Sequence, residues 1–273
     1  MHGIADMSRK SSQAADHDQA RSLALLWGSH TRAGRSGLTL AAIIEAAIAI
    51  ADAEGLDAVS MRRVAERLNV GAMSLYTHVP GKGELTDLMF DTAAGELYSD
   101  VDEPSRQPGG WRGALRFIAR RNWELYSRHP WVLSLSNARP VMGPHVSRNY
   151  EAELRPLEGI GLTDIEMDDT LALVLSHVGS VARTRLQQRS AQEESGQSDL
   201  EWWVATAPLL EAVMSGQQFP VASRVGQAAG MAHQAVTNPE HALAFGLERI
   251  LDGIEVLISQ RERDHLPETP GDN

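Results

Sequence analysis

The stretch that most constrains this chain runs over residues 60–82 and has the pattern of two short helices joined by a tight turn. Ser60 predicts the start of the first helix, because a serine hydroxyl can accept a hydrogen bond from a free backbone N–H. Helical spacing then defines one buried face, formed by Val64, Ala65 and Leu68. Asn69 follows directly, and asparagine tolerates the left-handed backbone conformation that ends a helix.

The second helix begins after a short turn. Val70 and Leu75 can fill the core beneath this helix, and Pro80 with Gly81 predicts its end. Two helices joined in this way can place the second one in the major groove of DNA.

The run over residues 70–82 resembles the recognition helix and following lysine of TetR-type transcriptional regulators. The residues that carry the resemblance follow the pattern L-Y-x-H-V-x-x-K and are Leu75, Tyr76, His78, Val79 and Lys82. The resemblance is close over about residues 38–100. It is looser over the rest of the chain, which is similar to the C-terminal domain of tetracycline repressors.

The resemblance implies an all-α fold with a three-helix helix-turn-helix DNA-binding domain and a larger helical domain for ligand binding and dimerisation. We expect a flexible extension over residues 1–36, the DNA-binding domain with its connecting helix over 37–100, and the helical domain over 101–273. The extension is polar; it is either a frayed tail or an arm that enters a neighbouring minor groove.

The amino-acid composition limits which classes of protein this chain can belong to. With 273 residues, of which 42% are hydrophobic, the chain can bury a core. It has no cysteine, which excludes disulfides and thiolate metal sites and is typical of a cytoplasmic protein. No apolar run approaches the ~20 residues of a membrane span. A net charge of -11 argues against coating nucleic acid by bulk charge. A local cluster of cations nevertheless surrounds the motif, and comprises Arg62, Arg63, Arg67 and Lys82.

Periodicity predicts helices along the rest of the chain, over residues 39–54, 82–99, 111–128, 142–157, 163–188, 198–216 and 239–261. Capping boxes open two of them, at Thr163 and Ser198. Pro208 should kink the second of these helices, and residues 190–198, being polar, predict a loop.

By resemblance, Tyr76, His78 and Lys82 contact DNA phosphates, and Arg62 matches a position that reaches a base. Arginine can bind guanine O6 and N7 together. The predicted DNA-binding residues are Arg62, Arg63, Ala72, Met73, Ser74, Tyr76, Thr77, His78 and Lys82. Core packing is the alternative role for Tyr76, and a helix C-cap is the alternative for His78.

A second resemblance concerns the effector. Residues 137–140 are similar to the turn that borders the drug pocket of tetracycline repressors. Those proteins bind the drug's magnesium through a histidine just before the turn, but Leu135 stands here, so we do not expect that chelate. The effector should be a mostly apolar, aromatic-sized small molecule of unknown identity, with no cofactor or metal. Its candidate contacts are Trp123, Trp131, Asn137, Arg139, Pro140, Met142, His177 and Trp203. The alternative is that these residues belong to the core.

Two apolar helices, over residues 163–188 and 239–261, are the candidates for a homodimeric four-helix bundle. Alternatively, both face their own core.

We expect a repressor, not an enzyme, that binds double-stranded palindromic operator DNA and is released by a small-molecule effector. The alternatives are an all-α enzyme and a helical adaptor that does not bind DNA. The sequence has no G-x-S-x-G, P-loop or H-E-x-x-H motif.

Overall fold

The computed structural model describes residues 20–28, 38–135, 140–213, 219–235 and 237–264, and these form α-helices and short 3-10 turns without a strand. This confirms the all-α class. The helices are α1 (20–26), α2 (Leu40–Glu54), α3 (Met61–Arg67), α4 (Ala72–Tyr76), α5 (Lys82–Ala94), α6 (Gly110–Arg128), α7 (Pro144–Leu154), α8 (Asp164–Ser195), α9 (Asp199–Val213), α10 (Pro220–His233) and α11 (Pro239–Asp264). Among the described helices, none combines the length and the apolar character needed to cross a membrane.

The chain divides into two compact units, Met1–Glu158 and Gly159–Asn273. This division follows from how the helices pack, and it falls after residue 158. The boundary between the DNA-binding domain and the helical domain, which we expect after residue 100, stays a prediction. Most of the predicted N-terminal extension lies outside the described residues. Residues 20–28, which include the short helix α1, are the part of it that the structure describes.

In the first unit, α2 is the central helix of a small bundle with α3, α4 and α5. Thr39 caps its first turn, since its hydroxyl accepts a hydrogen bond from the Ala42 backbone N–H at 3.1 Å. The core around α2 is fully buried and includes Ile43, Ala47, Ile50, Val64, Leu75, Leu85 and Met89. We call α2, α3 and α4 together the reading head.

Predicted boundaries of two helices in this unit were wrong. α5 ends at Ala94 instead of Ser99, because Gly95 caps it and donates its N–H to the Asp91 carbonyl at 3.1 Å. α7 starts at Pro144 instead of Met142, since proline suits the first helical position. It ends at Leu154 and passes into a 3-10 turn, Arg155–Leu157.

Asp91 of α5 caps the start of α7. Its Oδ1 accepts hydrogen bonds from the backbone N–H groups of His145, at 3.1 Å, and Val146, at 3.0 Å, and its side chain is buried. Asn149 of α7 adds a hydrogen bond from Nδ2 to the Ala94 carbonyl at 2.7 Å. These polar contacts fix α7 against the helix that follows the reading head.

Gly143→Ala should break this cap. A methyl group at Gly143 would overlap the Asp91 carboxylate, so that Asp91 must withdraw from two backbone N–H groups. We expect a loss of about 2 kcal/mol in the free energy of unfolding, measured by urea denaturation. Gly83→Ala is the control, because it has open space in α5 and should be neutral or stabilising. Equal effects of the two changes would contradict this account of the cap.

The second unit is built on α8 packed against α11. The predicted capping box is confirmed: Glu166 accepts from the Thr163 backbone N–H at 2.8 Å, and Thr163 Oγ1 accepts in return from Glu166 N–H. The buried stripe of the two helices includes Met167, Leu171, Val174, Val178, Leu247, Leu251, Ile254 and Ile258. His177 donates through Nε2 to the Leu243 carbonyl at 3.1 Å, as expected for a satisfied histidine.

The loop predicted over residues 190–198 was wrong for most of that range. α8 continues to Ser195 and ends at Gly196, whose φ of 68° is left-handed. Residues 187–194 are polar but good helix formers, so they extend an exposed helix without an apolar stripe.

The capping box at Ser198 is confirmed, since Glu201 accepts from the Ser198 backbone N–H at 2.8 Å. Pro208 lies inside α9, which continues to Val213, and the end predicted at Gly216 lies outside the described residues. The sequence did not predict α10, because its small residues give a weak pattern. Neither α9 nor α10, both fully described, has a buried residue.

Candidate nucleic-acid interface

The turn between α3 and α4 has fixed geometry. Ser60 Oγ caps α3 by accepting from the Arg63 N–H at 3.2 Å. Asn69 has the predicted left-handed conformation, with φ 54°. Its N–H bonds the Glu66 carbonyl at 3.1 Å, and the Val70 N–H bonds the Ala65 carbonyl at 3.0 Å. This pair of bonds closes α3 and sets the direction in which α4 leaves.

α4 is held by two buried anchors. Leu75 and Val79 are both 0% exposed, and the Val79 N–H bonds the Leu75 carbonyl at 2.8 Å. The anchors leave the opposite side of α4 free. Met73 is 77% exposed and Tyr76 is 45% exposed, so that both can meet a partner.

The structure places all nine predicted DNA-binding residues on or beside α3 and α4. Six have exposed side chains, and they are Arg62, Arg63, Met73, Tyr76, Thr77 and Lys82. Three are half-buried, and they are Ala72, Ser74 and His78. Core packing is therefore not the main role of Tyr76. Which of these residues contact DNA stays a prediction.

Three of the cations beside α4 already have partners. Arg62 Nε lies 2.8 Å from Glu66 Oε1, and Arg63 pairs with Glu54 of α2. Lys82 Nζ lies 3.5 Å from the Leu56 carbonyl. Because these contacts are exposed to solvent, which screens them, each contributes little to stability. A DNA phosphate or base can displace the carboxylates at small cost.

Comparison with known proteins decides the family. The family of bacterial regulatory proteins, tetR family, matches residues 43–88, and the tetracyclin repressor-like C-terminal domain matches residues 103–258. The HTH-type transcriptional repressor DrrR1 of Streptomyces coeruleorubidus is 42% identical over 258 residues, which cover 92% of this chain and 90% of that protein. The chain belongs to the TetR family.

Solved structures agree with this assignment. Apo ActR from Streptomyces coelicolor is similar to this TetR-family chain with a TM-score of 0.64 and 26% identity, covering 83% of this chain and 99% of ActR. ActR in complex with actinorhodin is similar with a TM-score of 0.62 and 28% sequence identity. That match covers 81% of this chain and 98% of ActR. The chain is therefore a ligand-responsive DNA-binding transcriptional regulator with the TetR-family fold.

The predicted effector-binding residues of this TetR-family member fall in both units. Trp131 is buried and Trp123 half-buried in the first unit, where Pro140 and Met142 are exposed. The half-buried His177 and Trp203 belong to the second unit, and Asn137 and Arg139 lie outside the described residues. The predicted set remains untested. Within the described ranges, no group of three or more His, Cys, Asp or Glu could hold a metal ion.

A buried polar cluster, not predicted from the sequence, joins the segment after α5 to α6 and α7. Tyr98 donates to Glu153 Oε1 at 2.7 Å, and Asn122 Nδ2 lies 3.5 Å from the same oxygen. All three side chains are at most 5% exposed. Burial raises the pKa of Glu153 to about 7, and it also raises the pKa of Tyr98, further raised by the nearby carboxylate. No motif marks this cluster, since its members are far apart in sequence.

Proposed function

We propose that this TetR-family regulator is a repressor that binds a short palindromic operator in or beside its own promoter as a homodimer. The observation that carries the proposal is the geometry of α4. Its anchors, Leu75 and Val79, are fully buried, while Met73 and Tyr76 face outward on a rigid turn. Two such helices in a dimer would lie about 34–36 Å apart, in successive major grooves.

The proposed contacts follow from side-chain chemistry. Tyr76, His78 and Lys82 contact phosphates, and Arg62 exchanges Glu66 for a guanine edge. Ala72, Met73 and Ser74 occupy the other base-reading positions, with Arg63 and Thr77 beside them. Met73 can make apolar contact with a thymine methyl group, which favours A·T pairs at that step.

We propose that the subunits associate through the outer side of α8 and α11, which we call the dimer face. A groove of about 580 Å³ lies there between the two helices, lined by Thr170, Leu173, Ile250, Gly253, Ile254 and Leu257 and by three charged residues. Leu173 and Val256 are 52% and 54% exposed. Exposed apolar side chains on packed helices are typical of a surface that a second copy covers.

We propose that a small molecule releases the repressor from its operator. ActR is solved with actinorhodin and with (S)-DNPA, and it is 28% identical to this chain in both complexes. To change operator occupancy from nearly full to nearly empty, the effector must prefer the DNA-free form by about 5.5 kcal/mol. Linkage requires that operator DNA weaken effector binding by the same factor.

Anisotropy titration of the purified protein on its own upstream DNA tests the proposal. Lys82→Ala should weaken binding to all sequences and lower the salt slope by about 1, because one phosphate contact is lost. Arg62→Ala should cost about 1–3 kcal/mol and relax the preference at one base pair per half-site.

Arg106→Ala removes an exposed arginine that pairs with Asp100 and lies in the segment between α5 and α6, and it should leave operator binding unchanged. If the wild-type protein does not bind this DNA in a salt-sensitive way, the result would favour the alternatives of a helical adaptor or an all-α enzyme. Equal losses for Lys82→Ala and Arg106→Ala would show that bulk charge, and not the α4 surface, binds the DNA.

A further inference from the structure

Asp52, in the last turn of α2, meets the segment that ends α6 through one carboxylate oxygen. Its Oδ1 accepts a hydrogen bond from Trp131 Nε1 at 2.8 Å and lies 2.7 Å from His129 Nδ1. The other ring nitrogen of His129 lies 3.4 Å from Glu96 Oε2. Arg128 also pairs with Glu96. One imidazole therefore joins α2, the segment after α5 and the end of α6.

These contacts are directional, and the donor side chains are buried, whereas the Asp52 carboxylate is 32% exposed. The side chain of His129 is 5% exposed, Trp131 is 2% exposed, and the two rings meet edge to face at 6.0 Å. An indole N–H can only donate, and a buried donor needs an acceptor in line with it. Asp52 supplies that acceptor, so this contact resists the sliding that purely apolar packing permits.

Among the described residues, the reading head has its most extensive contacts with the rest of the first unit at two places. One is α5, which follows the head in the chain and packs against α7. The other is α2, which packs against the 3-10 turn Pro130–Ser134 next to His129. If the reading head were attached at one place, it could rotate about that place. Attachment at two places defines its angle relative to the rest of the first unit. Asp52 provides the polar part of the second attachment.

We propose that Asp52 is a positioning residue for operator reading. It fixes the angle of the reading head, so that the two heads of a dimer accept one spacing between half-sites and reject others. The inference rests on the proposed binding of a palindrome by a dimer, and it adds the residue that sets spacing selectivity. Asp52 need not touch DNA for this role.

The test is a titration of the operator palindrome and of versions whose half-site spacing is changed by one and two base pairs. The wild type should bind the altered spacings at least about tenfold more weakly. Asp52→Ala should bind the native spacing about tenfold more weakly and should lose most of the discrimination between spacings. Asp52→Asn retains an oxygen acceptor for Trp131 and should recover most of the selectivity.

Glu45→Ala is the matched control, since Glu45 is an exposed carboxylate on the same helix, and it should behave as the wild type. If Asp52→Ala weakens binding but keeps the wild-type ratio between spacings, the positioning role is overturned. If Asp52→Ala does not fold, Trp131→Phe removes the donor from the same contact and should also lose selectivity. A wild-type protein that binds no palindrome would overturn the proposed function, and this inference with it.

Discussion

Leu173→Arg is expected to convert the proposed dimer into monomers and to remove most of the operator affinity. Leu173 lies in the groove of the dimer face and is 52% exposed, so that the change should leave the fold of a single subunit intact. Burial of one leucine contributes about 1.5–3 kcal/mol, and a two-fold interface loses two of them. The dissociation constant of the dimer should therefore rise by about a hundredfold or more, since 1.4 kcal/mol corresponds to a tenfold change.

Sedimentation velocity measures the dimer directly, and anisotropy measures the loss on the operator. A monomer has only one half-site contact, and the loss of the linked second contact should cost about 10²–10⁴ in affinity. Val204→Arg is the control, because Val204 is 64% exposed on α9, outside the dimer face. If Val204→Arg dissociates the dimer and Leu173→Arg does not, the subunits associate elsewhere.

Glu153→Gln is expected to stabilise the protein by about 3 kcal/mol at pH 8 and to have little effect near pH 4.5. Burial raises the pKa of Glu153 from 4.5 to about 7. Between these values the folded state holds a proton that the unfolded state has lost. The free energy of unfolding therefore falls as the pH rises through this window, by about 1.4 kcal/mol per pH unit.

Glutamine has no proton to lose, so the variant should not show this decline, and its amide oxygen can still accept from Tyr98. Urea denaturation at pH 4.5, 6 and 8 measures the effect. Glu158→Gln is the control, since Glu158 is exposed at the end of the same segment. A Glu153→Gln protein that is destabilised by the same amount at every pH would show that the ionised carboxylate is the form the fold requires.

The helix-turn-helix was predictable because its signals are local. The hydroxyl of Ser60 and the left-handed conformation of Asn69 act on neighbouring backbone groups, and both occur as the sequence indicates. The same holds for the capping box at Thr163. The end of α8 at Ser195 was not predicted, because an exposed polar helix has no apolar period to separate it from a loop.

In the candidate nucleic-acid interface too, some features could be predicted from local sequence and others could not. The exposed face of α4 follows from the spacing of Leu75 and Val79, since one buried anchor in this short helix and a second one just after it decide which residues face outward. The partners of the cations do not follow from spacing. Arg63 pairs with Glu54 across two helices, and only the packing of α2 on α3 brings these two side chains together.

The sequence by itself determined the all-α class, the reading head and the residues that α4 presents, because each depends on contacts within a few residues along the chain. The tertiary structure decided that Asp52 meets Trp131 and that Tyr98 meets Glu153. These partners are 79 and 55 residues apart, and their contacts form only when separate helices pack. A polar side chain on an amphipathic helix carries no local sign of the distant group that will bury it, so its role becomes visible only in the folded chain.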